Sequence, residues 1–356
     1  MAVAQDPFDA PDWQHARLSE RVAAARARAA ARCQGAVADL RLDDDARLTD
    51  QIRFEVGARL QALVETTVSD LLHQAERLRA DGEEMADPPG PAEAIRRLRR
   101  AGLFFDSDLV AELVAQLRLQ LLAQALPIET MVGDAPSLLV RLTEAPDRIV
   151  ASSARAVLAA EGRARMVEAD GEAIALPIAL RRHLVWLVAA ALRQGDDAGL
   201  DQALALAAER VLAAHGEADS PGAAVLRLAE AIDARPAELP DLLLESLSDR
   251  QPGLFIALLA HACGIDHDEL RDVVLEPEGD RLWLVLRSLD LGRPTVARIG
   301  LALAEADGRR DVDAFADALD AIMAIPAEAA RRAIASLSLP RAFRGAIARL
   351  DQGAWR

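Results

Sequence analysis

Residues 252–293 read PGLFIALLAHACGIDHDELRDVVLEPEGDRLWLVLRSLDLGR, and this stretch predicts short helices joined by brief polar turns. Pro252, Gly264 and Pro277 are residues typical of helix boundaries. Between them, apolar residues recur at helical spacing, as in Leu254, Leu258 and Leu259, and again in Leu282, Val285, Leu286 and Leu289. The pattern predicts helices over about 252–263, 267–276 and 279–290. Their broad apolar faces indicate that each helix packs between neighbours.

The same pattern of short, proline-punctuated units extends along the chain in both directions. Earlier units are predicted at about 92–102, 106–126, 135–145, 147–168, 175–194, 198–215, 221–233 and 237–248. Later units are predicted at about 294–307, 311–324, 326–338 and 340–350. The later units pair with steps of roughly 27–39 residues, which is short and uneven beside the period of about 34–47 residues of HEAT, armadillo and TPR repeats. The predicted fold class is therefore all-α, an irregular α-solenoid or HEAT-like helical array with a long N-terminal helix.

That long helix is predicted over about 46–80. Its apolar stripe consists of Ile52, Val56, Leu60, Leu63, Val64, Val68, Leu71 and Leu72, and it indicates a bundle helix or a seam for self-association. The clearest linker is Asp87-Pro-Pro-Gly-Pro91. The predicted organisation is a partly mobile extension at 1–45, the long helix at 46–86, helical domains at 92–173 and 174–350, and a tail at 351–356.

The composition limits the possible functions. The chain of 356 residues has a net charge of −16 and contains no Lys, Tyr or Asn, so every basic residue other than histidine is an arginine. An acidic surface disfavours nucleic acid and anionic membranes as partners. The longest purely apolar run, Leu184–Leu192, is too short to span a bilayer, and the start of the chain has no signal-peptide core. Two distant cysteines, Cys33 and Cys263, are typical of a reducing compartment, so we expect a soluble, cytoplasmic protein.

The sequence offers no recognisable catalytic machinery, and we expect no enzyme activity, no cofactor and no metal. Without lysine there is no P-loop lysine or Schiff base. His261, Cys263 and His267 have residue types that suit zinc, but their spacing is unusual for a zinc site. We expect instead that Cys263 ends a buried helix, that Gly264 follows as its left-handed terminating residue, and that His267 begins the next helix. His183 is predicted in the core or at its boundary, and Trp186 and Trp283 are predicted as core anchors.

One local feature opposes the acidic average. Arg96, Arg97, Arg99 and Arg100 form a dense basic cluster after the linker. The cluster is either a solvated face that nearby acidic residues neutralise, or a binding site. As a binding site it would contact a phosphate or an acidic partner surface.

Three segments carry a resemblance to a known family: Leu139–Glu161, Leu176–Gln194 and Pro252–Arg293. Together with Ala101–Leu126 they resemble an alphaproteobacterial, all-helical, HEAT-like family of unknown function. The shared signals are an LVW run before a polar break, a G-LF-ALLA helix, and an acidic turn with glycine before a leucine-rich helix. The resemblance covers about residues 46–350. It implies a bacterial, cytoplasmic origin and carries over no functional residues.

We expect a non-enzymatic protein–protein interaction module, an adaptor or regulatory scaffold, because stacked helices bind partners by shape without catalytic groups. Its acidic charge favours a basic or amphipathic-helix partner, and the 46–80 helix offers a route to a homo-oligomer. Two alternatives stay open. One is an anion or nucleic-acid binder working through the Arg96–Arg100 cluster. The other is an enzyme with an unrecognised site around His261–Asp268 or His183.

Overall fold

The computed structural model describes residues 47–78, 89–127, 136–169, 175–195, 197–214 and 221–353. The chain divides into two compact units, residues 1–50 and 51–356, and of the first only residues 47–50 belong to the described part. The protein is all-helical, with 78% helix and no strand in the described ranges. The all-α prediction is therefore confirmed. The predicted extension at 1–45 and the first two residues of the predicted linker, 87 and 88, lie outside the described residues.

Sixteen α-helices occur in the described ranges. They are α1 (Asp50–Leu78), α2 (Pro91–Arg100), α3 (Ser107–Ala125), α4 (Leu138–Leu142), α5 (Arg148–Ala169), α6 (Ile178–Ala191), α7 (Ala198–Ala213), α8 (Pro221–Ile232), α9 (Leu239–Ser248), α10 (Pro252–Cys263), α11 (His267–Val274), α12 (Asp280–Ser288), α13 (Arg293–Ala306), α14 (Val312–Ala324), α15 (Ala327–Ile334) and α16 (Arg341–Gly353). A short 3-10 helix, Ala335–Ser338, follows α15. Each predicted unit corresponds to one of these helices, with ends shifted by a few residues.

The helices begin where the local chemistry satisfies their first backbone N–H groups. Asp106, Asp197 and Asp266 each accept hydrogen bonds from two backbone N–H groups in the first turn of α3, α7 and α11. A carboxylate at this position also complements the positive end of the helix dipole. Proline occupies the first or second position of α2, α9, α10 and α13, where no N–H partner is lost.

At the C-terminal ends of several helices, backbone carbonyl oxygens accept hydrogen bonds from arginine side chains of other parts of the chain. Arg97 Nη1 donates to the carbonyl oxygens of Ala191 and Arg193 at the end of α6, at 3.1 and 2.5 Å. Arg250 Nε donates to the Leu126 carbonyl after α3 at 2.8 Å. Equivalent bonds run from Arg287 to Ile325, from Arg309 to Leu275, from Arg310 to Val274 and from Arg331 to Ser288. The last carbonyls of a helix lack intrahelical donors, and a guanidinium both bonds to them and complements their partial negative charge.

The hydrophobic core is centred on α10, in which every residue from Leu254 to Ala260 is buried. α10 contacts α3, α8, α9, α11 and α12, and α8 in turn packs on α5. One core cluster includes Val157 of α5 and Leu228 of α8, so it is shared by the predicted ranges 92–173 and 174–350. None of the described helices is long and apolar enough to cross a membrane.

The two tryptophans predicted as core anchors differ in burial. Trp283 is buried, and its ring lies 4.7 Å from that of Phe315. Trp186 is 41% exposed on α6, so its prediction as a core residue is wrong. The reason is its position: Leu184, Val185 and Val188 take the buried face of α6, and Trp186 lies on the other side of the helix.

Candidate functional site

The predicted arginine cluster lies on α2, where its four side chains have different surroundings. Arg96 and Arg97 both pair with Glu93, and Arg97 also binds the end of α6. Arg99 lies over the ring of Phe104, 4.5 Å from its centroid. Arg100 is exposed. Arg97 is thus engaged in helix packing, and Arg96, Arg99 and Arg100 form the solvent-exposed part of the cluster. Its role as an anion or partner contact stays a prediction.

The histidines singled out in the sequence lie apart and each contacts one carboxylate. His183 Nε2 is 3.2 Å from Asp106, the residue that caps α3, and His261 Nε2 is 2.9 Å from Asp233. His267 Nδ1 is 3.5 Å from Asp268. Among the described residues, no group of three or more His, Cys, Asp and Glu side chains is placed to hold a metal ion.

Cys263 ends α10 as predicted, and Gly264 follows with φ of 63°, the left-handed conformation that terminates a helix. The Cys263 Sγ lies 3.8 Å from the Ser288 hydroxyl. Burial raises the pKa of the Cys263 thiol to about 11, although the contact with Ser288 partly offsets this effect. The group is therefore a neutral thiol at physiological pH, and a neutral thiol is a poor nucleophile and metal ligand.

This predicts slow reaction of Cys263 with thiol reagents. In a Cys33→Ser variant at pH 8, the native protein should react about a hundredfold more slowly than the same protein in denaturant, because the thiolate fraction falls by about that factor when the pKa rises from 9.0 to about 11. Absorbance after addition of an aromatic disulfide reagent measures the rate. Equal rates in the native and denatured protein would show that Cys263 is a reactive thiol.

A cavity of about 410 Å³ lies where α3, α11, α12 and α16 approach one another. We call it the arginine cavity, because its lining includes Arg118, Arg271, Arg281 and Arg341. Three carboxylates, Glu112, Asp272 and Glu276, share that lining, so its charged side chains have one excess positive charge. The rest of the wall is mainly apolar and consists of Ala111, Val114, Ala115, Leu275 and Pro277.

All three carboxylates of the arginine cavity are paired with its arginines. Arg271 and Glu112 form a two-pronged ion pair with N–O distances of 3.0 and 2.8 Å, and both side chains are 8% exposed. Burial opposes the charged form of Arg271, but the hydrogen bonds and the field of Glu112 outweigh it and raise the pKa of Arg271. Arg341 binds Asp272, and Arg281 binds Glu276. The cavity is therefore lined by several ion pairs.

Arg118 differs from the other three arginines of the cavity. Its side chain is half-buried, its Nε has no hydrogen-bond partner, and no carboxylate of the described residues forms an ion pair with it. Burial lowers the pKa of Arg118, and the nearby charge of Arg309 lowers it further, while Asp307 acts in the opposite direction. Within the described part of the chain, Arg118 is thus a guanidinium of the cavity lining without a counter-ion in contact.

A second candidate surface is an exposed apolar row at the C-terminal helix. Leu339, Phe343, Ile347 and Leu350 are 39%, 55%, 40% and 75% exposed. Their spacing places them on one side of α16 and the turn before it. On the same helix, Arg341 and Arg344 bind Asp272 and Glu269 of α11. Ion pairs therefore attach α16 to the rest of the protein, while the apolar row lies at the surface.

Comparison of the chain with protein-family models, with curated proteins and with solved structures finds no match. The arginine cavity and the apolar row are therefore identified from the geometry of the structure alone. The sequence analysis predicted neither of them. The apolar row had a visible signal, since Phe343, Ile347 and Leu350 follow the i, i+4, i+7 spacing. The arginine cavity had none, because Glu112 and Arg271 are 159 positions apart.

Proposed function

We propose that this chain is a non-enzymatic protein–protein interaction module, an adaptor or scaffold, which binds its partner through the apolar row of α16. The observation that carries the proposal is the exposure of Leu339, Phe343, Ile347 and Leu350 on one side of α16 and the turn before it. Contiguous apolar surface bordered by polar residues is typical of a binding site for another protein.

The chemistry of the row favours an amphipathic helix as the partner segment. Apolar anchors at i, i+4 and i+7 are the spacing by which one helix packs its apolar face against another. The arginines beside the row, Arg341 and Arg344, are each paired with a carboxylate, so their charge is locally offset. The net charge of −16 then favours a partner helix with basic flanks. It disfavours nucleic acid and anionic membranes.

Two features of the described residues favour a non-enzymatic role. His183, His261 and His267 lie outside the lining of the arginine cavity, so the imidazoles and the cavity do not combine into one site. The thiol of Cys263 is held in its neutral form. The alternative of nucleic-acid binding through α2 is weaker, because Arg97 is committed to the end of α6 and Arg96 is paired with Glu93.

We also propose that the helices form an irregular, solenoid-like array of the HEAT type in a cytoplasmic, alphaproteobacterial protein. The support is the succession of contacts between consecutive helices, as between α4 and α5, α6 and α7, α9 and α10, α10 and α11, and α13 and α14. Contacts such as α3 with α13 and α12 with α15 join helices that are not consecutive and account for the irregularity. Self-association through the 46–80 helix stays a proposal, although seven of the eight residues of its apolar stripe are buried within the chain, which favours a bundle helix over a seam between copies.

Substitution of one residue in the row tests the proposed interface. Phe343→Glu should abolish partner capture when the full chain is used as bait in an extract of its native organism, because a carboxylate in an apolar contact is costly to desolvate. Quantitative mass spectrometry of the bound proteins measures the loss, and circular dichroism checks that helix content is unchanged.

Phe54→Glu is the matched control, since it makes the same change at an exposed phenylalanine on α1. It should leave partner capture intact. Loss of capture with Phe54→Glu but not with Phe343→Glu would move the interface to α1. Capture that survives both substitutions would rule out the row as the binding surface.

A further inference from the structure

Arg118 is the starting point for a second site, whose lining contains none of the four residues of the apolar row. Three of the four arginines that line the arginine cavity bind carboxylates, and Arg118 binds none among the described residues. Asp307, the acidic residue whose field reaches Arg118, is already bound by Arg309 through both of its carboxylate oxygens, at 2.9 and 2.6 Å. A partly buried cation without a counter-ion is costly, so an anion placed beside Arg118 would be stabilising.

The unused hydrogen-bonding groups around the cavity are donors. Arg271, whose side chain is only 8% exposed, lines the cavity, and its Nε has no hydrogen-bond partner. The same holds for Nε of Arg118 and, close to it, for Nη1 of Arg309. A guanidinium can donate hydrogen bonds but cannot accept them, so the arginine side chains that line the cavity can bind only a ligand that accepts hydrogen bonds.

The size and walls of the cavity favour an organic ligand over a bare ion. A volume of about 410 Å³ lies within the range of sites for small molecules, roughly 300–1,000 Å³. Ala111, Val114 and Ala115 of α3 and Leu275 and Pro277 form apolar walls. An anion that carries an apolar body would place its charge at Arg118 and its body against these residues.

The net charge of the cavity lining favours a carboxylate ligand over a phosphate ligand. Four arginines and three carboxylates line the cavity, leaving one positive charge to be neutralised. A carboxylate carries one negative charge, whereas a phosphate monoester carries nearly two at neutral pH. We propose that the arginine cavity binds a small organic carboxylate, with Arg118 as its main ionic contact and the apolar wall of α3 against its body.

Binding of matched probes to the full chain tests this site. Isothermal titration calorimetry should detect benzoate, which has both a carboxylate and an apolar body. Acetate, which lacks the body, should bind more weakly, and benzamide, the neutral isostere, should not bind. Phenyl phosphate should bind more weakly than benzoate. Tighter binding of phenyl phosphate would overturn the assignment of the ligand as a carboxylate.

Arg118→Gln should weaken benzoate binding by about 10- to 100-fold, the effect of losing one charge-assisted hydrogen bond. Because Arg118 has no ion pair among the described residues, its replacement should leave the melting temperature of the ligand-free protein unchanged or raised. Arg332→Gln, the same substitution at an exposed arginine of α15, is the control and should leave benzoate affinity unchanged. Equal benzoate affinity in wild type and Arg118→Gln, or no benzoate binding at millimolar concentration, would overturn the proposal.

Discussion

Replacement of Glu112 by alanine should lower the free energy of unfolding by about 3–5 kcal/mol, the usual consequence of removing one partner of a buried ion pair. Glu112 on α3 binds both terminal nitrogens of Arg271 on α11, and both side chains are 8% exposed. Without Glu112, the buried guanidinium would keep only the longer contacts to Asp268 and Asp272, at 3.6 and 3.5 Å. Urea unfolding followed by circular dichroism measures the loss.

Two variants give this prediction its controls. Glu245→Ala removes a partner of Arg141 in a more exposed ion pair and should cost less than about 1 kcal/mol. The double variant Glu112→Met with Arg271→Met removes both charges and should recover most of the lost stability, since two apolar side chains of similar size carry no unpaired charge. The electrostatic account fails if Glu112→Ala costs no more than Glu245→Ala.

Gly300→Ala should destabilise the protein by about 1–3 kcal/mol, although alanine is the better helix former. Gly300 is buried on α13, and a Cβ added to it would lie 2.0 Å from Cζ of Phe315 on α14. Phe315 has little freedom to retreat, because its ring packs on Trp283 with centroids 4.7 Å apart. The close approach of α13 and α14 therefore requires glycine at this position.

Gly57→Ala on α1 is the matched control, because a Cβ there would meet no atom within 4 Å. It should stabilise the protein by up to about 1 kcal/mol, through helix propensity alone. Thermal unfolding of both variants should thus show shifts of opposite sign. In addition, combining Phe315→Leu with Gly300→Ala should restore part of the stability that Gly300→Ala loses. If the double variant is no more stable than Gly300→Ala, a steric cause is contradicted.

The positions of the helices follow from signals that lie within a few residues of each helix end. α10 illustrates this, since Pro252 at its start and Gly264 after its end predict the bounds that the structure shows. Such signals are readable from sequence because a helix cap involves only a residue and its near neighbours. The same locality explains why the 3-10 helix at 335–338 was predicted as part of a longer helix, as its sequence continues the helical pattern.

The surroundings of individual side chains were harder to predict. Trp186 and Trp283 have similar apolar neighbours in sequence, yet one is 41% exposed and the other buried. The exposed fraction of each tryptophan depends on whether a neighbouring helix covers its face of α6 or α12. Likewise, the exposed row on α16 could be predicted as an apolar helix face, but its lack of burial could not.

The arginines show most clearly what the sequence determines and what only the tertiary structure determines. The sequence alone determines that this is an all-helical chain whose only strongly basic side chain is arginine, and it places the helix ends with a few residues' error. The tertiary structure determines what each arginine binds: Arg97 the end of α6, Arg271 the carboxylate of Glu112, and Arg118 no carboxylate among the described residues. The physical reason is distance along the chain. A cap is formed by residues three or four positions apart, whereas a guanidinium finds its partner only after helices far apart in sequence have packed together.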